Sequence, residues 1–238
     1  MEKFILEIPS INRKKDALEY LNEMASANSE FNGLGGLDKC HQKYSYEDWL
    51  IELENKQKVE YANDFNRVLS KTYFVVRQND NKIVGMVNIR YNISQDKLND
   101  WASHIGYSIR PTERRKGYSK IALYLILLEE QKMKEDKVLL ICDVSNVPSN
   151  KTILALGGTL EKSKIYKYDN ILTNYYWIDV NSSLYRYYEC YKDYIGGAIK
   201  MIKRLIFDVD GTLIVGCDFN NAIRKTLKKL NLYSNAYN

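Results

Sequence analysis

The sequence is short of the groups that build metal and redox centres. It has two histidines, His41 and His104, and four cysteines in 238 residues. Cys40, Cys142, Cys190 and Cys217 lie far apart and form no CxxC or Cys/His spacing. That pattern argues against a zinc site and against a disulfide frame. No apolar run approaches the roughly 20 residues of a membrane span, and the start, MEKFILEIPS, lacks the long apolar segment of a secretory signal. The expectation is a cytoplasmic protein with reduced cysteines and no membrane contact. Internal repeats and low-complexity linkers are also missing. Charge of one sign is scarce in most of the chain. The net charge is +5, but residues 199–238 hold seven Lys/Arg against three Asp, which leaves +1 for the rest. A nucleic-acid binder shows a basic stripe on its folded face. Here the excess sits in an amphipathic stretch, Arg224 to Lys229, so no nucleic-acid partner is expected.

What is present is an ordinary globular balance, 45% hydrophobic and 27% charged residues. KFILEI (3–8) predicts a strand, and residues 14–26 carry helical spacing through Leu18, Leu21 and Met24. Gly33, Gly35 and Gly36 mark a loop. Ser45, ahead of Glu47, Asp48 and Trp49, predicts the cap of a short helix ending near residue 55. Residues 72–78 and 82–91 form a hairpin around the turn 79–81. Residues 104–110 predict a third strand, ended by Pro111. Residues 117–135 predict a helix apolar on nearly every side, hence buried. A buried strand follows at 137–144. A short helix at 149–156 stops at Gly157 and Gly158, and strands at about 159–166 and 174–180 close the domain. This order predicts an α/β (α+β) fold with a mixed, mostly antiparallel central sheet and helices on both faces. The strand–helix–strand unit at 104–144 should make a right-handed crossover between parallel strands. The composition changes near Asn181, where a Tyr-rich connector begins. The expected organisation is a domain at 1–180, a connector at 181–198 and a strand–helix appendage at 199–238.

Chemistry concentrates in HIGYSIRPTERRKGYSKIALYLILLEE. A basic, glycine-containing loop opens a long helix, whose start presents unpaired N–H groups and the positive end of the dipole. Gly117 allows close backbone approach, and Arg114, Arg115 and Lys116 add charge. Such a site suits a pyrophosphate. Residues 114–119 (RRKGYS) also resemble the coenzyme A motif (Gln/Arg)-x-x-Gly-x-(Gly/Ala) of the Gcn5-related N-acetyltransferases, the GNAT family. Ser119 replaces the usual Gly or Ala. Tyr107, Ser108 and Ile109 lie where that family's strand splays to receive the pantetheine arm. Asn146 matches the family's asparagine after the next strand, with Ser149 beside it, and Gly157-Gly158 falls where the following helix ends. The wording is closest to a bacterial subgroup of acetyltransferases without assigned substrates, and this resemblance spans roughly 1–180.

The resemblance implies acetyl-CoA as cosubstrate and an amine acceptor that attacks the thioester directly. Tyr107, Ser108, Ile109, Arg114, Arg115, Lys116, Gly117, Tyr118, Ser119, Asn146 and Ser149 would contact the cofactor. The backbone N–H of Ile109 would hold the oxyanion. His104, which titrates near neutrality, is the candidate base. Glu47, Asp48, Asn88 and Arg90 could line the acceptor pocket. The family's frequent general-acid tyrosine falls at Ile153, which favours an alternative: a coenzyme-A-binding module without turnover. The tail sequence RLIFDVDGTLIV (204–215) resembles the first motif of haloacid-dehalogenase-type phosphatases. That resemblance makes Asp208 the nucleophile and Asp210 the acid/base, both near magnesium. The later motifs have no room, so an incomplete phosphatase segment is expected, as part of a bifunctional or truncated product. Its apolar strand would seek a sheet edge on the domain or on a second copy of the chain, which allows a homodimer.

Overall fold

The computed structural model describes residues 1–41, 44–65, 67–94, 97–98, 103–166 and 169–196. Asp208, Asp210 and the rest of the expected appendage lie outside the described residues.

Four strands form the first sheet: β1 (Phe4–Glu7), β2 (Leu69–Arg77), β3 (Lys82–Tyr91) and β4 (Ile105–Ile109), in that spatial order. All three pairings are antiparallel. The β2–β3 hairpin turns at residues 78–81, where Asn81 takes a left-handed φ of 56°, a conformation asparagine tolerates better than most residues. One face of this sheet is covered by α1 (Lys14–Ser26) and α2 (Tyr46–Asn55). Tyr20, Leu21, Met24, Trp49, Phe74 and Met86 fill that core. Helix α2 starts as the sequence predicts. Ser45 Oγ accepts from the Asp48 N–H, and the Asp48 carboxylate accepts from the Ser45 N–H, a reciprocal capping box. A short helix between α2 and β2, α3 (Val59–Asp64), was not anticipated.

The other face is covered by α4 (Tyr118–Lys132), in which Ile121 to Leu128 are all buried. Each apolar side chain of that size contributes about 1.5–3 kcal/mol when taken from water, so α4 is the spine of the larger core. After α4 come β5 (Lys137–Asp143), α5 (Val147–Ala155), β6 (Thr159–Ile165), β7 (Leu172–Asp179) and α6 (Val180–Tyr191). Strands β5, β7 and β6 form a second, antiparallel sheet with β7 in the middle.

Two features differ from the sequence expectation. First, β4 and β5 do not share a parallel ladder. They meet at one point, where the His104 N–H donates to the Leu139 carbonyl (2.9 Å) and the Leu139 N–H donates to His104 Nδ1 (3.0 Å). The imidazole takes the amide proton that a continuing ladder would give to a carbonyl, and the strands part. Second, the Tyr-rich connector is helix α6 for most of its length and is packed into the domain. Leu184 lies in the main core, Tyr124 Oη donates to the Leu184 carbonyl, and Tyr187 and Tyr191 pack against the same cluster. Spacing of three to four residues between these apolar groups makes one helical face. Past α6, Ile195 bridges Phe4 in parallel and is also buried. No described helix is long and apolar enough to cross a membrane.

Candidate functional site

Strand β4 has one paired edge and one open edge. The Arg90 N–H donates to the His104 carbonyl and the Arg110 N–H donates to the Val84 carbonyl. With a period of two, the ladder uses residues 104, 106, 108 and 110. The N–H groups of Ile105, Tyr107 and Ile109 therefore point away from β3, into the gap between the two sheets. The side chains alternate across the faces as well. Ile105, Tyr107 and Ile109 turn toward the α4 core, whereas Ser108 Oγ shares a 2.8 Å hydrogen bond with Tyr20 Oη on the α1 face. On that same face the glycine loop crosses β4. Gly33 has φ of 73°, and a Cβ there would stand 2.5 Å from Tyr107 Cα. Only glycine lets the two backbones approach so closely.

Beyond β4, the chain turns through Pro111–Glu113 and opens α4 at Gly117, whose φ is 84°. A Cβ on Gly117 would meet nothing within 4 Å. Glycine is required there by conformation, and the space over it is open. Among the described residues, the N–H groups of Arg115 to Ser119 donate to no other group of the chain. Five successive amides are thus left for an anion.

The side chains of this loop mostly build it. Arg114 Nε donates to the Ile109 carbonyl (3.1 Å) and its Nη2 to Ser29 Oγ (2.7 Å), so Arg114 pins the loop to β4 and α1. Lys116 Nζ donates to Glu113 (2.7 Å), which also receives Arg77 and Lys82. Burial raises the Glu113 pKa, but bonds from Arg77, Lys116 and Lys82 outweigh it and hold the carboxyl at about 2. Tyr118 is buried, donating to Glu2 and accepting from Arg77. Arg115 is exposed, with φ of 64°. Sequence reasoning missed Glu113. The signal was there, an acid inside a run of cations.

Helix α5 supplies the next group. Asn146 caps it, its Oδ1 accepting from the Ser149 N–H. Ser149 Oγ shares a 2.9 Å hydrogen bond with Tyr107 Oη, which ties α5 to β4 across the gap. Burial pushes the Tyr107 hydroxyl up to about 12. Ser119 Oγ bonds Thr152 Oγ1 at 2.9 Å, so the hydroxyl at the usual Gly/Ala position joins α4 to α5. Ile153 is fully buried in the core, and a Cβ on Gly158 would strike its Cγ2 at 2.4 Å.

On the α1 face, a pocket of about 300 Å³ lies between residues 31–36 of the glycine loop, Lys56, residues 67–68 of the approach to β2, and Ser70, Asn88 and Arg90 of the hairpin. Two of the expected acceptor-pocket residues, Asn88 and Arg90, line it. The other two do not. Glu47 is exposed and paired with Lys14, and Asp48 is spent on the α2 cap. Behind the pocket wall sits a carboxylate the sequence did not disclose. Buried Glu52 takes Lys39, Lys56 and Arg67 at 3.1–3.2 Å.

His104 is buried at the sheet junction. Its Nδ1 accepts a proton donor, so the neutral ring carries its own proton on Nε2. Burial first, and the Arg90 charge nearby, lower its pKa to about 4. The ring offers no free lone pair of the kind a base needs, and it joins the start of β4 to β5 at Leu139 instead.

A split sheet with an unpaired strand edge, ending on a loop of free amides at a helix start, defines an α/β domain built to hold an extended, anion-bearing cofactor. The model of the Acetyltransferase (GNAT) family matches residues 37–157, and the chain belongs to that family. No curated protein matched the sequence. Among solved structures, RimL, a ribosomal-protein acetyltransferase in complex with coenzyme A, aligns with TM-score 0.53 and 15% identity over 74% of this chain and 94% of its own. A GNAT-family acetyltransferase from Bordetella pertussis gives TM-score 0.51 at 12% identity over 74% and 96%. The microcin C7 self-immunity acetyltransferase MccE, in complex with acetyl-CoA and AMP, gives TM-score 0.50 at 18% identity over 74% and 92%. At these identities the likeness concerns the fold.

Proposed function

We propose that the chain transfers an acetyl group from acetyl-CoA to a primary amine by direct attack. The observation that carries this reading is two sets of free N–H groups among the described residues, those on the open edge of β4 and those of residues 115–119, separated by one short turn. The pyrophosphate lies on the amides of 115–119, over the open space at Gly117. The pantetheine runs beside Tyr107, Ser108 and Ile109, pairing with the N–H groups β3 leaves unused. The Ile109 N–H then receives the thioester oxygen as it becomes an oxyanion, without reorganising. Arg114 and Lys116 act through the loop they brace, and Asn146 and Ser149 fix the start of α5.

The amine enters from the opposite face, through the pocket beneath the glycine loop. It must arrive uncharged to attack. Among the described residues, no pocket-lining side chain is a carboxylate or imidazole, so we assign its proton to solvent. Ser149 precedes Ile153 by one helical turn on α5 and shares its face. The Tyr107 hydroxyl, bonded to Ser149, therefore stands one turn from the place of the family's tyrosine. We assign the proton for the departing thiolate to this hydroxyl pair, which supports turnover over mere coenzyme binding. Location in the cytoplasm fits this chemistry. The test is free-thiol release from acetyl-CoA with a panel of amines. Tyr107→Phe should lower kcat about tenfold or more while acetyl-CoA affinity changes little. An unchanged kcat would remove the hydroxyl from the mechanism.

A further inference from the structure

The pocket that would admit the acceptor has an unusual charge. Lys39, Lys56 and Arg67 converge on the single carboxylate of Glu52. Arg90 adds a fourth cation with no share in that carboxylate. Its guanidinium is enclosed by protein on most sides, beside Tyr166, yet keeps an opening to the pocket it lines. Nη1 is occupied, donating to the carbonyl and the Oγ of Ser103 at 3.2 and 3.0 Å. Among the described residues, Nε and Nη2 have no hydrogen-bond partner and no carboxylate lies within ion-pair distance of Arg90. Enclosing a guanidinium without a counter-charge is expensive. Such a group is retained where a ligand completes it, and a planar fork suits carboxylate or phosphate oxygens.

Position connects this charge to the reaction. Arg90 Nη2 lies 3.6 Å from where a Cβ on Gly106 would stand, beside Gly33, and the next residue along β4 is Tyr107. An anionic group on Nη2 would thus sit on the acceptor face, two to three residues along the strand from Ile109. We infer that the physiological acceptor is an amine that also carries an anion, a carboxylate or a phosphate a few bonds from the attacking nitrogen. Arg90 is the residue that selects it. The cations shared by Glu52 make the approach positive, so a polyamine is disfavoured at the same mouth. This inference rests on the acetyl-transfer reading and narrows its substrate class.

The experiment has three arms on the full chain. Calorimetry with acetyl-CoA tests the underlying reading; no binding would sink that reading itself. The second arm measures thiol release with matched amines: amino acids and aminoalkyl phosphates against their amides and alcohols, with spermidine as the cationic member. The expected result is at least a tenfold preference in kcat/KM for carboxylate or phosphate bearers, expressed mainly in KM. For Arg90→Gln the preference should collapse, and for Arg90→Lys it should return in part. Carboxylate preference and phosphate preference are separated by the panel. The third arm needs no acceptor. With coenzyme A saturating its own site, inorganic phosphate should raise the melting temperature of the wild type and not of Arg90→Gln. Equal or better turnover of neutral amines or spermidine would overturn the inference while leaving acetyl transfer standing. So would coenzyme binding with no phosphate effect and no acetylation of any anionic amine.

Discussion

Two glutamates show how residue-level surroundings set opposite pH behaviour. Glu113 is held at about 2 by Arg77, Lys116 and Lys82 against the cost of its burial. Its folded pKa is below the usual value of 4.5, so its contribution is full above that pH and is lost as pH falls toward 2. Glu130 is the reverse case. It is fully buried in α4, neither carboxyl oxygen finds a partner among the described residues, and burial with the Glu135 and Glu129 charges raises it to about 8. Between 4.5 and 8 the unfolded chain has lost this proton while the native state keeps it. Stability therefore falls with rising pH across that window. Glu130→Gln should flatten that slope in thermal melts at pH 5 and pH 8, with the gain largest at pH 8. Equal shifts at both pH values would mean that the carboxyl finds a partner in the folded protein.

Elements place the site through three close approaches: Gly33 against β4, Gly158 against Ile153, and the His104 imidazole against Leu139. Gly33→Ala should be strongly destabilising. Its left-handed backbone alone costs about 1–2 kcal/mol, and the 2.5 Å contact with Tyr107 Cα must be relieved by moving β4. The expected result is a melting temperature lowered by several degrees and loss of acetyl transfer in whatever remains folded; a wild-type melt would show that the loop does not rest on the strand. The sequence disclosed α1 to the residue, the α2 cap, the hairpin and the buried α4, because each rests on local periodicity or cap chemistry. It disclosed the free amides at Gly117 for the same reason. It did not disclose α3, which has six residues and a weak pattern. Nor did it disclose the parting of β4 and β5, where a side chain substitutes for a carbonyl, or the gathering of Lys39, Lys56 and Arg67 around Glu52. Those depend on contacts between distant segments, and no local window contains them.

At the scale of the whole molecule, the family match ends at residue 157 while the packed core continues to Ile195. The cut that preserves the enzyme should follow residue 198, not residue 180. A chain ending at 198 should bind acetyl-CoA and transfer acetyl nearly as well as the full chain. A chain ending at 180 should fail to fold stably, because it loses Leu184, Ile195 and the hydrogen bond from Tyr124. The most direct test of the reading as a whole is calorimetric titration of acetyl-CoA into the wild type and Gly117→Glu. The new carboxylate would enter the open space above the five free amides. The expected result is clear binding by the wild type and at least a hundredfold weaker binding by a variant that still folds. Equal affinity in the two proteins would show that the coenzyme does not lie on residues 115–119.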